Sequence, residues 1–513
     1  MRFFAQIVWL LLALGPAAWC DVKPNALISH NAVLQQGMTV PVWGAADNGE
    51  EVTVKFQNQS IATTAQNGRW LVRLKPLKPG GPFTMTITGN NALTLTNILV
   101  GEVWLCSGQS NMEWPLSKTH DGSNAVAQAR DPMLRLFRVP RKALDAPVTA
   151  VDAEWKECLP ESAARFSAVG YYFGRDLRKA RRVPVGLIDS SYGGSPVQAW
   201  TSLPALQADQ DVKQVLDWHA GHIREYPAKL ATYREAMKKH QAEVARAQAE
   251  GKEPPKPPRE PQDPVTSPHR PAGLYNAMIA PLQPFAVKGA IWYQGESNAQ
   301  MAWLYQRALT AMIRDWQAGF GREFPFLIVQ LAPFMKKVAE PQEAPWPELR
   351  EAQRLTALAV PKSALVVTTD VGDENDIHPR RKEPVGQRLA LAARAIAYGE
   401  DIEYSGPMHN AARILGDRIV LTFNHTGGGL VARGDKLAGF AIAGADRKFV
   451  NANARIVGNK IEVWSAAIPK PVAVRYGWAN YPTGNLWNRA GLPASPLRTD
   501  NFPLTTLPKP PAS

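Results

Sequence analysis

Cysteine is nearly absent, with 3 in 513 residues. That leaves little material for a disulfide framework, and no paired Cys-x-x-Cys or His-Glu-x-x-His motif is present to hold a metal. Nor is there a Gly-x-Ser-x-Gly sequence, which argues against the nucleophile elbow of α/β-hydrolases. Beyond residue 20 no stretch approaches 18 apolar residues, so no membrane span is expected. Acidic residues are outnumbered, 45 to 58, for a net charge of +13 and a pI near 9.6. Yet no Lys/Arg cluster is interleaved with aromatics in the way nucleic-acid grooves require. The excess charge reads as solvated basic surface.

The amino terminus carries Arg2, an apolar run over 3–14 and then Gly15-Pro16-Ala17-Ala18-Trp19-Cys20. Charged, apolar and small-residue regions in that order mark a secretory signal, residues 1–20, and imply an exported protein, periplasmic or secreted. Removing it leaves Cys106 and Cys158, which either pair or remain as two buried thiols. The length is sufficient for two or three domains with ample core.

Residues 21–98 have the rhythm of a small β-sandwich. Alternating runs at 39–43, 51–56, 70–74 and 83–87 are punctuated by Asn48-Gly49, Asn67-Gly68 and Gly80-Gly81. From 99 to 400 short apolar strands at 100–105, 185–189, 289–293, 326–330 and 364–369 alternate with helical patterns such as 166–179 and 305–317. That alternation implies an α/β fold with a doubly wound parallel sheet. An excursion at about 204–271 interrupts it, first charged and helical (226–248), then Pro254-Pro255-Lys256-Pro257-Pro258. It reads as a solvated helical arm, with a lid or partner-binding arm as the alternative. Residues 401–513 turn β-rich again, with runs at 418–423, 448–450 and 460–464, and the tail from 508 is expected to fray.

Three motifs follow three of these strands. Gly108-Gln109-Ser110-Asn111-Met112 comes first, Gln294-Gly295-Glu296-Ser297-Asn298 follows the third strand, and Asp376-Ile377-His378-Pro379 follows the last. All would lie at the carboxyl edge, where open α/β sheets bind ligands. A serine hydroxyl needs a base within hydrogen-bond reach to become a nucleophile. Of nine histidines only His378 follows a sheet strand, has a carboxylate two residues away and precedes a helical pattern. Ser110 and His378 are therefore the expected nucleophile and base of an acyl-transfer site, with Asp376 as leading orienting carboxylate. Asp370, Asp373 or a backbone carbonyl are the alternatives. Backbone donors for an oxyanion are expected from Gly193 and Gly194 in the loop after the second strand, and a side-chain amide from Asn298. Gln109, Gln294 and Glu296 either brace these loops or touch substrate. One of Trp114, Trp200 and Trp303, each just after a motif, is expected to contact substrate.

These motifs, with Tyr192-Gly193-Gly194-Ser195-Pro196, resemble those of the sialate O-acetylesterase family, a carbohydrate-esterase branch of the SGNH (GDSL-like) hydrolases. The likeness extends from about Asn31, through Val42-Trp43-Gly44, to Leu492-Pro493-Ala494-Ser495-Pro496. It implies a flavodoxin-like catalytic domain and an oxyanion hole from the Ser110 N–H, a Gly193 or Gly194 N–H and the Asn298 amide. It also implies removal of O-acetyl groups from a carbohydrate partner without a cofactor. One departure stands out: the wider SGNH pattern has Asp three residues before the histidine, and here that position is Asn375.

Overall fold

The apolar runs pair side by side. In the computed structural model, which describes residues 21–508, the central sheet has the order Trp155–Cys158, Asp131–Arg138, Val185–Ser191, Ala92–Gly108, Gly289–Tyr293, Phe326–Val329 and Ser363–Val366. The signal read at 1–20 and the last residues, 509–513, lie outside the described ones. The five expected strands are all present and mutually parallel. Numbered by their sequence, their spatial order is 2-1-3-4-5, that of flavodoxin-like sheets. Two strands were not expected. Asp131–Arg138 adds a parallel neighbour to Val185–Ser191, and Trp155–Cys158 an antiparallel edge.

Strands buried on both faces read as continuous apolar runs, and alternate residues here enter two separate cores. Val103, Leu105, Ile188, Trp292 and Ile328 pack with Leu309, Met312 and Trp316 of helix Ala302–Gly319 and Leu349 of helix Pro345–Ala359. Trp104, Cys106, Leu187, Ile291 and Leu327 pack with Phe173 of helix Ala168–Arg181 and Leu389 of helix Glu383–Tyr398. Helices thus cover both faces. Local signals agree with the tertiary ones: Ser167 caps Ala168–Arg181 by accepting the Gly170 N–H, and Arg178, Lys179 and Arg181 occupy its last turn.

Ala92–Gly108 is one strand that crosses the division drawn between residues 98 and 99. It pairs with Gly80–Thr88 over its first part and with the parallel strands Val185–Ser191 and Gly289–Tyr293 over its second. The expected N-terminal strands appear at Val40–Ala45, Glu51–Phe56, Arg69–Leu74 and Gly80–Thr88, and Gln59–Thr64 is added to them. The carboxyl-terminal part holds two four-stranded sheets and one two-stranded sheet. It is tied to the catalytic layer by Arg350, which is fully buried and donates to the carbonyls of Leu331, Ala332, Ala479 and Asn480. The excursion contains helix Gln214–Ala249, exposed over most of its length, followed by an irregular Pro-rich return. Cys106 and Cys158 are free and buried, and burial raises both thiol pKa values, that of Cys158 to about 12. Among the described residues no helix is long and apolar enough to cross a membrane, and no acid, His or Cys cluster could hold a metal.

Candidate active site

Register explains why distant motifs meet. Gly108 lies opposite Ser191 on one side and Tyr293 on the other, so three loops leave the sheet at one level. Gly108 has φ +139°, and a Cβ there would lie 2.2 Å from the Tyr293 carbonyl oxygen, so only glycine fits. Ser110 then opens a single helical turn, Ser110–Glu113, whose backbone is held by the Gln109 carbonyl. As the first residue of that turn, its N–H has no acceptor within it.

The hydroxyl of Ser110 lies 2.9 Å from His378 Nε2. On the far side of the ring, Nδ1 is 3.3 Å from Asp376 Oδ1, which also accepts the His378 backbone N–H at 2.8 Å. The alternative carboxylates are engaged elsewhere. Asp370 forms a two-pronged pair with Arg388, both contacts at 2.7 Å, and Asp373 accepts the backbone N–H groups of Asn375 and Asp376. Burial holds the His378 pKa below its ordinary value, with Asp376 pulling it up and Lys382 pushing it down. A neutral imidazole with Nδ1–H toward Asp376 leaves Nε2 free to accept the serine proton. Trp114 stacks on this ring, centroids 5.1 Å apart and planes 19° from parallel. Trp200 is fully buried against Trp292, and Trp303 packs edge-on to Trp218.

Two of the expected donors, the Gly193 N–H and the Asn298 amide, are nearby and already occupied. A Cβ built on Gly193 would stand 3.6 Å from Ser110 Cβ, and the Gly193 N–H donates to Glu113 at 2.7 Å. The carbonyl of Gly194 accepts the Ser297 hydroxyl. The Asn298 amide donates to Gln198 at 3.1 Å, while its oxygen accepts from the Val197 N–H and from Gln294. Gln294 is fully buried and joined to Ser195, Asn298 and Tyr305. Gln109 is similarly buried and accepts the N–H groups of Gly295 and Ser297.

Four residues that the sequence reading did not single out complete the site. Asn111 donates to Glu296 at 2.6 Å and to the Ile377 carbonyl at 3.0 Å, and accepts from Lys382. It thereby fastens the serine turn to the histidine loop. Lys382 is fully buried, its pKa lowered to about 7 by burial, with Glu296 and Asp376 opposing. Among the described residues one Glu296 oxygen is buried without a hydrogen-bond partner, and burial raises that carboxyl's pKa. Glu113, paired with Arg141, and His269, whose Nε2 meets the Gly193 carbonyl at 3.1 Å, flank the glycine loop.

Sialate O-acetylesterase of Mus musculus is 30% identical over 523 residues, covering 93% of this chain and 93% of its own. The Rattus norvegicus protein of that name is 31% identical over 524 residues, with the same coverage. The chain belongs to the sialate O-acetylesterase family. Within it, the profile described as carbohydrate esterase, sialic acid-specific acetylesterase matches residues 266–395, which include Gln294, Asn298 and His378. The fold of this family member is SGNH-like. A carbohydrate acetylesterase from Xanthomonas citri superposes with a TM-score of 0.80 at 38% identity, covering 94% of this chain and 100% of that one.

Proposed function

We propose that this chain is a carbohydrate O-acetylesterase that uses Ser110 as nucleophile and His378 as base, with Asp376 orienting the imidazole. His378 takes the hydroxyl proton as Ser110 attacks the acetyl carbonyl. The tetrahedral oxyanion settles among the N–H groups of Ser110 and of Gly193 or Gly194 and the Asn298 amide. The sugar oxygen leaves with the proton, and a His378-activated water then releases acetate. The 2.9 Å contact between the Ser110 hydroxyl and Nε2 carries this reading. The sialate O-acetylesterase relatives support an acetylated sugar as the substrate.

Ser110→Ala and His378→Ala are each expected to lower acetate release by at least about a thousandfold while leaving the circular dichroism melt unchanged. Retained turnover in Ser110→Ala refutes the nucleophile. We further propose that residues 1–20 are a leader removed on export. Mass analysis of protein recovered outside the cytoplasm should give a chain beginning at Asp21, and an intact Met1 terminus there contradicts it.

A further inference from the structure

Beside Gly193 and Asn298 lies a cavity of about 420 Å³. Its size falls within the roughly 300–1,000 Å³ typical of small-ligand sites. One wall is the arm helix Gln214–Ala249, which turns Trp218, His219, His222 and Tyr226 toward it. Their spacing of one, three and four residues places them along one side of the helix. The opposite wall belongs to the catalytic rim, through Gln198 and His269. Gln198 accepts from Asn298, and His269 meets Gly193 (3.1 Å in both cases). A molecule filling the cavity is therefore separated from the expected oxyanion donors by a single side chain.

The charges around the cavity are already paired. Lys229 contacts Glu225 at 2.8 Å, and Arg270 contacts Asp145 at 2.9 Å and the Ser267 carbonyl at 2.8 Å. Burial, His222 and Arg270 all lower the His219 pKa. What remains for a ligand is the indole and phenol faces of Trp218 and Tyr226, with amides and imidazoles around them. Aromatic faces take the C–H side of a pyranose, and amide and imidazole groups take its hydroxyls. A carboxylate-bearing sugar asks for an unpaired cation, commonly a two-pronged Arg, and the lining offers none.

We infer that this cavity is the subsite for an uncharged pyranose of the acetylated glycan, built by the arm against the catalytic rim. The inference rests on the Ser110 reading and adds the arm as a determinant of specificity. It gives the arm a face that the reading as a solvated excursion did not.

Trp218→Ala and Tyr226→Ala are the test, each assayed on 4-nitrophenyl acetate, mono-O-acetylated xylotetraose and 9-O-acetyl N-acetylneuraminate. The expected result is KM for the xylotetraose ester raised at least tenfold in both variants, with aryl acetate turnover within twofold of the parent. The sialate ester should change less than the xylotetraose ester. An unchanged KM for the xylotetraose ester, or an equal or larger loss on the sialate ester, overturns the assignment. In Ser110→Ala protein, binding of deacetylated xylotetraose followed by tryptophan fluorescence should persist and should vanish when Trp218→Ala is added. Persistence in the double variant also overturns it. Failure of the nucleophile assignment reads out separately, as aryl acetate turnover retained by Ser110→Ala.

Discussion

The carboxylate of Glu113 accepts the backbone N–H of Gly193 at 2.7 Å while its other oxygen pairs with Arg141. The amide proposed to hold a developing oxyanion therefore already holds a carboxylate. A transition state using this donor has to displace a negative charge, whose hydrogen bond is about twice as strong as a neutral one. Glu113→Gln keeps the shape and removes the charge. Its kcat on 4-nitrophenyl acetate is expected to rise roughly fivefold, equivalent to about 1 kcal/mol. A fall below the parent would mean that Glu113 helps the reaction rather than competing with it.

The pH profile follows from the direction of the His378 shift. A general base acts in its neutral form, so kcat/KM should be low in acid, climb as pH passes the His378 pKa and level off above it. Burial places that midpoint below the ordinary 6.5. The two nearby charges act in opposite directions, Asp376 raising the value and Lys382 lowering it. Lys382→Met should therefore move the acid limb toward higher pH, and Asp376→Asn should move it lower. Asp376 is partly exposed and 3.3 Å from Nδ1, so its removal is expected to cost roughly ten- to a hundredfold in kcat, less than the ~10⁴ of a buried triad aspartate. Initial rates on the aryl acetate between pH 4.5 and 8 check all three statements, and limbs that move the opposite way would contradict the proposed electrostatics.

Much of the catalytic layer was legible because chemistry and strand pattern coincide in this chain. Ser110, Asn298 and His378 each follow a short apolar run, and a parallel sheet brings the ends of such runs to one edge. The supporting residues left no such trace. In the basic run Arg380-Arg381-Lys382 only Lys382 is buried, because the next residue begins helix Glu383–Tyr398 and turns it under the serine turn. Strand Asp131–Arg138 escaped notice for a related reason. It begins with Asp131 and Pro132 and carries Arg135, whose guanidinium is buried and paired with Glu157. The two roles left open for Gln294 differ only in burial, which composition does not encode.

Asn111 joins the serine turn to the histidine loop and also lies between Lys382 and the Glu296 carboxyl. Its amide group meets Glu296, the Ile377 carbonyl and Lys382 together. Leucine fills a similar volume but satisfies none of them, and an unsatisfied buried partner costs about 1–3 kcal/mol, more when charged. Asn111→Leu is expected to lose about 3 kcal/mol in urea unfolding and to lower kcat through misplacement of His378. Asn111→Asp should lose less stability, since it still accepts from Lys382. Equal stability of the Leu variant and the parent would show that the network contributes little.

Arg350 poses the same question at the junction of the catalytic layer and the carboxyl-terminal sheets. Its guanidinium, with no exposed surface, donates to four carbonyl oxygens at 2.6–3.1 Å, two on each side of the junction. The planar fork suits this arrangement, whereas lysine offers a compact ammonium on a flexible stem. Arg350→Lys therefore leaves carbonyls of Ala479 and Asn480 without their donor. The expected cost is about 3 kcal/mol, comparable with other losses of charge-assisted buried hydrogen bonds. Limited proteolysis locates the effect. If Arg350 fastens the junction, new cuts should appear around residues 401–406 in the Lys variant before the catalytic layer is cleaved. Cleavage that begins within residues 99–400 would place its contribution in the catalytic layer instead.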